Sequence, residues 1–404
     1  MQLHQYRGRW QLRRPPPWPR QERNENGQAM QTAAQSTTLQ AGSYTDLRDR
    51  IRSAGLLDPT PIFYTLFVAG ALLLAFGAIA AIILVGNSWW VIGIAALLPF
   101  ATLQFAFIGH DGGHRQIFRS TKANDWLVLL TSTVFMGFSL SWWLDQHNKH
   151  HGMPNHEDDD PNINVGPLAF TPNQLQRKSG LNYFIVKHQG WLVIPINLLG
   201  AIHKQVENAK YLYRDHVRYP IVEPILTAAH IGGYLALLFL SMDPAKAGVF
   251  ILVHYSLFGL YLAAVIAPNH KGMAMVTGKG KLDFLYWQVL TARNIRGNRV
   301  IDWLYGGLNY QIEHHLFPSM PRPHLPQARR MVRQYCQEHG ITHHETGVIG
   351  AYVEIVKSMH HTSAPLRGGQ AGGPIVIDKE DVERMMGIRP ATTPTENAAA
   401  AGGD

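Results

Sequence analysis

Residues 89–114 read WWVIGIAALLPFATLQFAFIGHDGGH. The first twenty of them, 89–108, carry no charge, and a helix of that length at about 1.5 Å per residue spans a hydrocarbon core of about 30 Å. The apolar run ends directly against His110, so a metal-ligating residue type caps a membrane span. This juxtaposition points to an integral membrane protein with its polar chemistry at the ends of its helices.

Outward toward the N-terminus, 62–85 is apolar except for Tyr64 and Thr65, and only Gly86-Asn-Ser88 separates it from the next run. So short a link forces a helical hairpin. Toward the C-terminus, 224–240 and 249–267 flank the turn SMDPAK (241–246) and form a second hairpin. The predicted fold is all-α, with four transmembrane helices in two hairpins. The two hairpin turns hold one basic residue, Lys246, whereas the N-terminal arm, the middle region and the C-terminal third are rich in Arg and Lys. The positive-inside bias therefore places both termini and the middle region in the cytoplasm.

Composition agrees. Charged residues make up 16% of the 404 and hydrophobic ones 46%, against about 25% charged in an ordinary soluble domain. The net charge of +8 and pI near 9.5 accompany no aromatic-interleaved basic surface and no reader motif, so no nucleic-acid partner is expected. Cys336 stands alone, which excludes an internal disulfide and a thiolate-held cluster. Histidine is the anomaly, with 21 in the chain. Residues 1–43 read as a disordered, Pro-rich and Gln/Ser/Thr-rich arm, 44–360 as the membrane domain, and 361–404 as a disordered Gly/Ala/Thr/Pro-rich tail. A helix is expected over 326–339, ending at Gly340.

Three histidine clusters carry the chemistry. His110-Asp-Gly-Gly-His114 sets two imidazoles at i and i+4, one helical turn apart on one face. His147-Asn-Lys-His150-His151 sets three at i, i+3 and i+4, and Gln311-Ile-Glu-His314-His315 repeats that spacing with glutamine in first place. Imidazoles without thiolates suit iron, copper or zinc. Seven exceed the needs of one ion, so two ions are implied, and a redox-active pair is the natural reason to gather them beside an apolar compartment. Asp111, Glu313 and Asp145 are the candidate acceptors for ring N–H groups. For the clusters to meet, the apolar stretch 126–144 must not cross the membrane. Its Thr131, Ser132, Thr133, Ser139 and Ser141, with Trp126, Trp142 and Trp143, suit an interfacial position. The segment 191–202 is too short to cross.

HDGGH, HNKHH and QIEHH, in this order around two hairpins, closely resemble the histidine boxes of the membrane fatty acid desaturases. The resemblance covers about residues 44–345, and GGLNYQIEHHLFP (306–318) is its most specific part. Gln311 is similar to the first position of the third box in front-end and related bacterial acyl desaturases. The resemblance implies a cytosolic helical cap, a histidine-held di-iron centre, and an acyl chain reaching it through a narrow tunnel. It adds His270, in APNHKGM, to the metal ligands His110, His114, His147, His150, His151, His314 and His315. It also implies an O2-dependent desaturase of acyl-CoA or acyl-lipid in a bacterial plasma membrane. The His-Pro-Gly-Gly haem motif of fused cytochrome b5 domains is missing, so electrons are expected from an external protein such as a ferredoxin or an oxidoreductase. Gln311 is expected to support its neighbours or ligate weakly.

Other histidines read more plainly. His230 and His254, inside spans, are expected to make interhelical hydrogen bonds. His156 and the acidic run 157–160 read as a solvated loop, since no EF-hand spacing is present. His343, His344, His360 and His361 are expected to be exposed. Trp142 and Trp143 either wall the tunnel or anchor the interface. Two rival readings are a hydroxylase using the same iron site and a metal-handling membrane protein. The latter should carry its ligands near the bilayer midplane rather than at span ends. Chain length of the substrate, double-bond position and acyl carrier stay open.

Overall fold

The computed structural model describes residues 42–386 apart from 165, 215, 279–281 and 371. All of the expected N-terminal arm except Gly42 and Ser43, and the tail beyond 386, lie outside the described residues. The main helices are α1 (Tyr44–Ser53), α2 (Pro61–Val85), α3 (Val91–Gly113), α4 (Thr121–Met136), α5 (Leu140–Gly152), α6 (Gly180–Lys187) and α7 (Gln189–Arg214). They continue with α8 (Val222–Ser241), α9 (Pro244–His270), α10 (Phe284–Leu290), α11 (Arg299–Tyr305), α12 (Gln311–Leu316), α13 (Leu325–Glu338), α14 (Val348–Thr362) and α15 (Lys379–Met385). Sheet is confined, among the described residues, to two parallel pairs, β1 (Met275–Val276) with β4 (Val376–Ile377) and β2 (Asn294–Arg296) with β3 (Glu345–Gly347).

Four helices, α2, α3, α8 and α9, are long and apolar enough to cross a membrane, as the sequence predicts. Pro61 and Pro244 start α2 and α9, where a missing N–H costs nothing. Asp243 caps α9 by accepting from the Lys246 amide at 3.0 Å. α2 and α8 turn Ile62, Leu66, Leu73, Leu84, Ile225 and Leu240 outward, as lipid-facing helices do. His254 links the spans, with Nδ1 2.9 Å from the Tyr234 hydroxyl of α8 and Nε2 3.3 Å from the Thr102 hydroxyl of α3. His230 Nδ1 meets the Val134 carbonyl at 2.9 Å. Both make the interhelical hydrogen bonds expected of them.

The stretch 126–144 is not one straight helix. α4 runs beside α3, with Ser132 Oγ donating to Phe105 O at 2.6 Å and the Phe105 and Phe135 rings stacked 4.4 Å apart. A π-helical turn at Leu129–Thr133 interrupts it, and after Gly137 (φ 73°) the chain bends by 102° into α5. Its far end contacts His230, the ninth residue of the 20-residue α8. The segment therefore packs against α3 and α8 and then turns sharply, and His147 comes to lie against His114. Buried Glu223, at the start of α8, pins the bend by accepting from Ser139 Oγ (2.6 Å), Ser141 Oγ (2.6 Å) and Ser141 N (2.9 Å). α7 closes it from the side, with Gln205 and Asn208 donating to the carbonyls of Met136 (2.7 Å) and Gly137 (2.9 Å). α6 meets α7 at 106°.

The cap covers the end of the bundle that carries the histidines. Leu285, Trp287, Ile312, Leu316, Val332 and Tyr335 form its core, and α1 adds Leu47 and Ile51. The helix expected at 326–339 is α13. The expected disorder from 361 begins too early, because β4 pairs with β1, Asp378 and Asp381 form a capping box on α15, and Ile377 and Val382 are buried in the cap core. Two or three apolar side chains seated on an existing core hold this segment, too few to stand out in a Gly- and Pro-rich sequence.

Candidate metal centre

Four elements bring eight imidazoles together: α3 and its cap (His110, His114), α5 (His147, His150, His151), the end of α9 (His270) and α12 (His314, His315). They fall into two groups. His110, His114, His147 and His314 converge with ligand nitrogens within 4.8 Å of one another. His151 joins them, its Nε2 3.1 Å from that of His147 and 3.0 Å from that of His314. His150, His270 and His315 form the second group.

The double glycine of HDGGH makes the approach possible. A Cβ on Gly112 would collide with Val128 Cγ2, and one on Gly113 would enter the Trp143 ring. Trp143 in turn stacks on His147 at 4.3 Å, so Gly112 lets α4, and Gly113 lets α5, pack closely on the end of α3, which brings His147 against His114.

The donor set fits bound cations. His110 Nδ1 faces Asp111 Oδ1 (3.0 Å), His150 Nδ1 faces Asp160 Oδ2 (3.0 Å), His270 Nδ1 faces the Thr291 carbonyl (3.0 Å) and His315 Nδ1 faces Gln288 Oε1 (2.8 Å). Each acceptor fixes the ring proton on Nδ1 and leaves Nε2 as a bare lone pair. The Nε2 atoms of His150 and His270 then face one another at 3.2 Å, that of His270 also lying within reach of the Gln311 amide, and the buried Nε2 of His315 has no hydrogen-bond partner among the described residues. Lone pairs opposed inside a dry site repel unless a cation lies between them. Two imidazole nitrogens bound to one ion at about 2.1 Å stand roughly 3 Å apart, which the observed 2.8 to 3.2 Å separations match. Burial, reinforced by neighbouring rings, pushes His114, His147, His151, His314 and His315 well below the ordinary imidazole range, so all are neutral.

Asp111 lies beside His110 and is held by the Tyr64 hydroxyl at 3.1 Å and Arg322 Nη2 at 2.6 Å. Glu313 does not face a ligand ring. Its carboxylate accepts from Asn294 Nδ2 at 2.7 Å and meets His343 Nε2 at 3.3 Å, because side chains two apart on the short α12 point to different sides. Asp145 pairs with exposed Lys149 at 2.9 Å instead. His343 is buried against Glu313 rather than exposed. Gln311 donates from Nε2 toward His270 Nε2 at 2.9 Å while its Oε1 accepts from Asn269 Nδ2 at 3.0 Å. Asn269 also donates to Val265 O at 3.0 Å. That chain of bonds turns the Gln311 amide so that N–H, not oxygen, faces the histidines.

The acidic loop after the second cluster is solvated only in part: Asp158 and Asp159 are exposed, whereas His156, Glu157 and Asp160 are buried. Asp160 is fully buried and accepts from His150, from the amide of Asn155 (2.8 Å) and from the amide of Asn162 (2.8 Å). Burial alone would raise its carboxyl, but His150, Lys271 and the Asn162 amide together hold it at about 2. Asn155, in the left-handed region at φ 56°, spreads its side-chain N–H groups over the carbonyls of His270, Ala274 and Thr291. Glu157 accepts from the Thr171 hydroxyl at 2.5 Å. A carboxylate ten residues after a ligating histidine was the available signal, blurred by a run of three aspartates.

A cavity runs from the histidines into the bundle, walled by Leu103, Phe107, Phe138, Trp142, Trp143 and Leu262 among others. Trp142, only 7% exposed, is a wall and not an interfacial anchor.

A family model described as fatty acid desaturase matches residues 87–347. The chain is 30% identical over 311 residues to the Delta(5) fatty acid desaturase fat-4 of Caenorhabditis elegans, covering 74% of this chain and 69% of that one. It is 30% identical over 314 residues to the Delta(6)-fatty-acid desaturase fat-3 of the same organism, covering 74% and 70%. With the Delta(8)-fatty-acid desaturase of Euglena gracilis the identity is 28% over 316 residues, covering 74% and 73%.

Proposed function

The chain belongs to the fatty acid desaturase family, and on that premise we propose that it introduces a double bond into the chain of an acyl-CoA or acyl-lipid, using two iron ions held by His110, His114, His147, His151 and His314 on one side and His150, His270 and His315 on the other. The observation that carries this reading is the convergence of eight histidines, in two groups whose ring nitrogens face one another, at the end of an apolar cavity. When bound, the irons supply O2 activation and hydrogen removal from two adjacent methylenes, chemistry that no acid or base could perform on unactivated C–H bonds.

The chain's own residues do the rest. Phe107, Phe138, Trp142 and Leu262 bind the methylenes and exclude water. Asp111, Asp160, Gln288 and the Thr291 carbonyl hold the ring protons of their histidines on Nδ1. Gln311 acts as a support and not as a ligand, since its N–H faces the second group. Electrons come from an electron-transfer protein, and the basic segments around the cap support a cytoplasmic orientation for the histidines.

Mass spectrometry of cell lipids with and without expression tests the proposal. A new double bond is expected with the wild-type chain and none with His147→Ala or His315→Ala, whose purified forms should also lose bound iron. A hydroxylated product would favour the same site acting as a hydroxylase, and unchanged product from the alanine variants would remove the assigned site.

A further inference from the structure

Lys204, on α7, lines the same cavity as His147, His150 and Gln311, and it is the one Lys, Arg, Asp or Glu among the cavity's described lining residues. Its ammonium stands over the Trp142 ring, 5.7 Å from the centroid. Among the described residues it makes no hydrogen bond or ion pair. Glu207, one turn along the helix, is exposed and gives its carboxylate to Lys210 at 2.9 Å. Lys210 thus shows what a lysine on this amphipathic helix does when free to choose: it reaches outward to water and a counter-charge. Lys204 turns inward.

A second cation stands near it. Lys271 directly follows the ligand His270, lies over the Phe170 ring at 4.3 Å, and donates to the carbonyl of Asn162 at 2.7 Å. Asn162 itself lines the cavity. Burial pushes the Lys204 ammonium below its ordinary range, and the Glu207 carboxylate opposes this only in part. A cation placed in an apolar cavity without a partner is unfavourable unless a ligand supplies the missing charge. Trp142 offers only the face of a ring.

We infer that Lys204 binds the anionic head group, phosphate or carboxylate, of the acyl substrate, with Lys271 adding to the positive field at that end of the cavity. The inference rests on the acyl-chain reading of the site. A bilayer-embedded tail alone would be held by the apolar walls. The lysine adds selection for a charged carrier and fixes how far the chain slides past the histidines.

Equilibrium binding to the purified protein in lipid nanodiscs tests this with four ligands sharing one C18 chain: oleic acid, oleoyl-CoA, oleoyl lysophosphatidate and uncharged oleyl alcohol. The wild type is expected to bind at least one anionic ligand about tenfold or more tighter than the alcohol, as a charged hydrogen bond provides. The preferred anion identifies the source of the charge. Lys204→Gln should erase that preference while leaving oleyl alcohol affinity unchanged, and Lys204→Arg should keep it. A Lys204→Gln protein that keeps the preference, or loses alcohol binding in equal measure, overturns the inference and leaves the acyl reading standing. Failure of all four ligands to bind wild-type protein overturns the acyl reading as well.

Discussion

Asp160 and Asp111 both hold a ring proton in place, yet only one stands beside its histidine in sequence. Asp111 is adjacent to His110, and its role follows from the box itself. Asp160 reaches His150 across ten residues by a left-handed turn at Asn155, a conformation asparagine tolerates and no spacing rule announces. Replacing Asp160 by Asn puts an N–H among three donors, those of His150, Asn155 and Asn162. Asp160→Asn is expected to weaken iron retention about 10- to 100-fold, read as metal content after timed exposure to a chelator. Retention equal to wild type would remove Asp160 from the site. At this scale the eight histidines that the fold gathers were legible from i, i+3 and i+4 spacing and from the resemblance. Their partners were not, because Glu313, Asp145 and Asp160 look alike in sequence and differ only in what they face.

At the scale of elements, the two hairpins could be read from apolar length and short links, to within a few residues at most boundaries. The 102° bend between α4 and α5 could be inferred only as a requirement that the clusters meet. Its packing was invisible, because two of the polar residues in the stretch, Ser132 and Ser139, bond to Phe105 and Glu223 inside the protein. The close packing of α3 on α5 makes a sharp test. Gly113→Ala would force Trp143, and with it His147, out of place. Such overpacking should cost about 1–3 kcal/mol, read as a lower thermal unfolding midpoint in detergent together with reduced iron content. An unchanged midpoint would mean that Trp143 has room the structure does not show.

For the whole molecule, a buried core of neutral imidazoles makes metal-free stability depend on pH. The folded values of His114, His147, His151, His314 and His315 lie well below that of a free imidazole. Above about pH 6.5 neither the folded nor the unfolded chain binds protons there. As pH falls below that value the unfolded chain takes up protons first, so stability declines toward the folded values. The unfolding midpoint of chelator-treated protein is expected to fall steadily from pH 7 to pH 5, and a flat profile would contradict neutral burial. The separation of the ligands along the chain also has a bearing on birth order. His315 emerges from the ribosome about 200 residues after His110, by which time all four spans have been made. Nascent chains therefore carry incomplete histidine sets, and the two ions proposed above would complete their sites last, as a clasp on four distant segments.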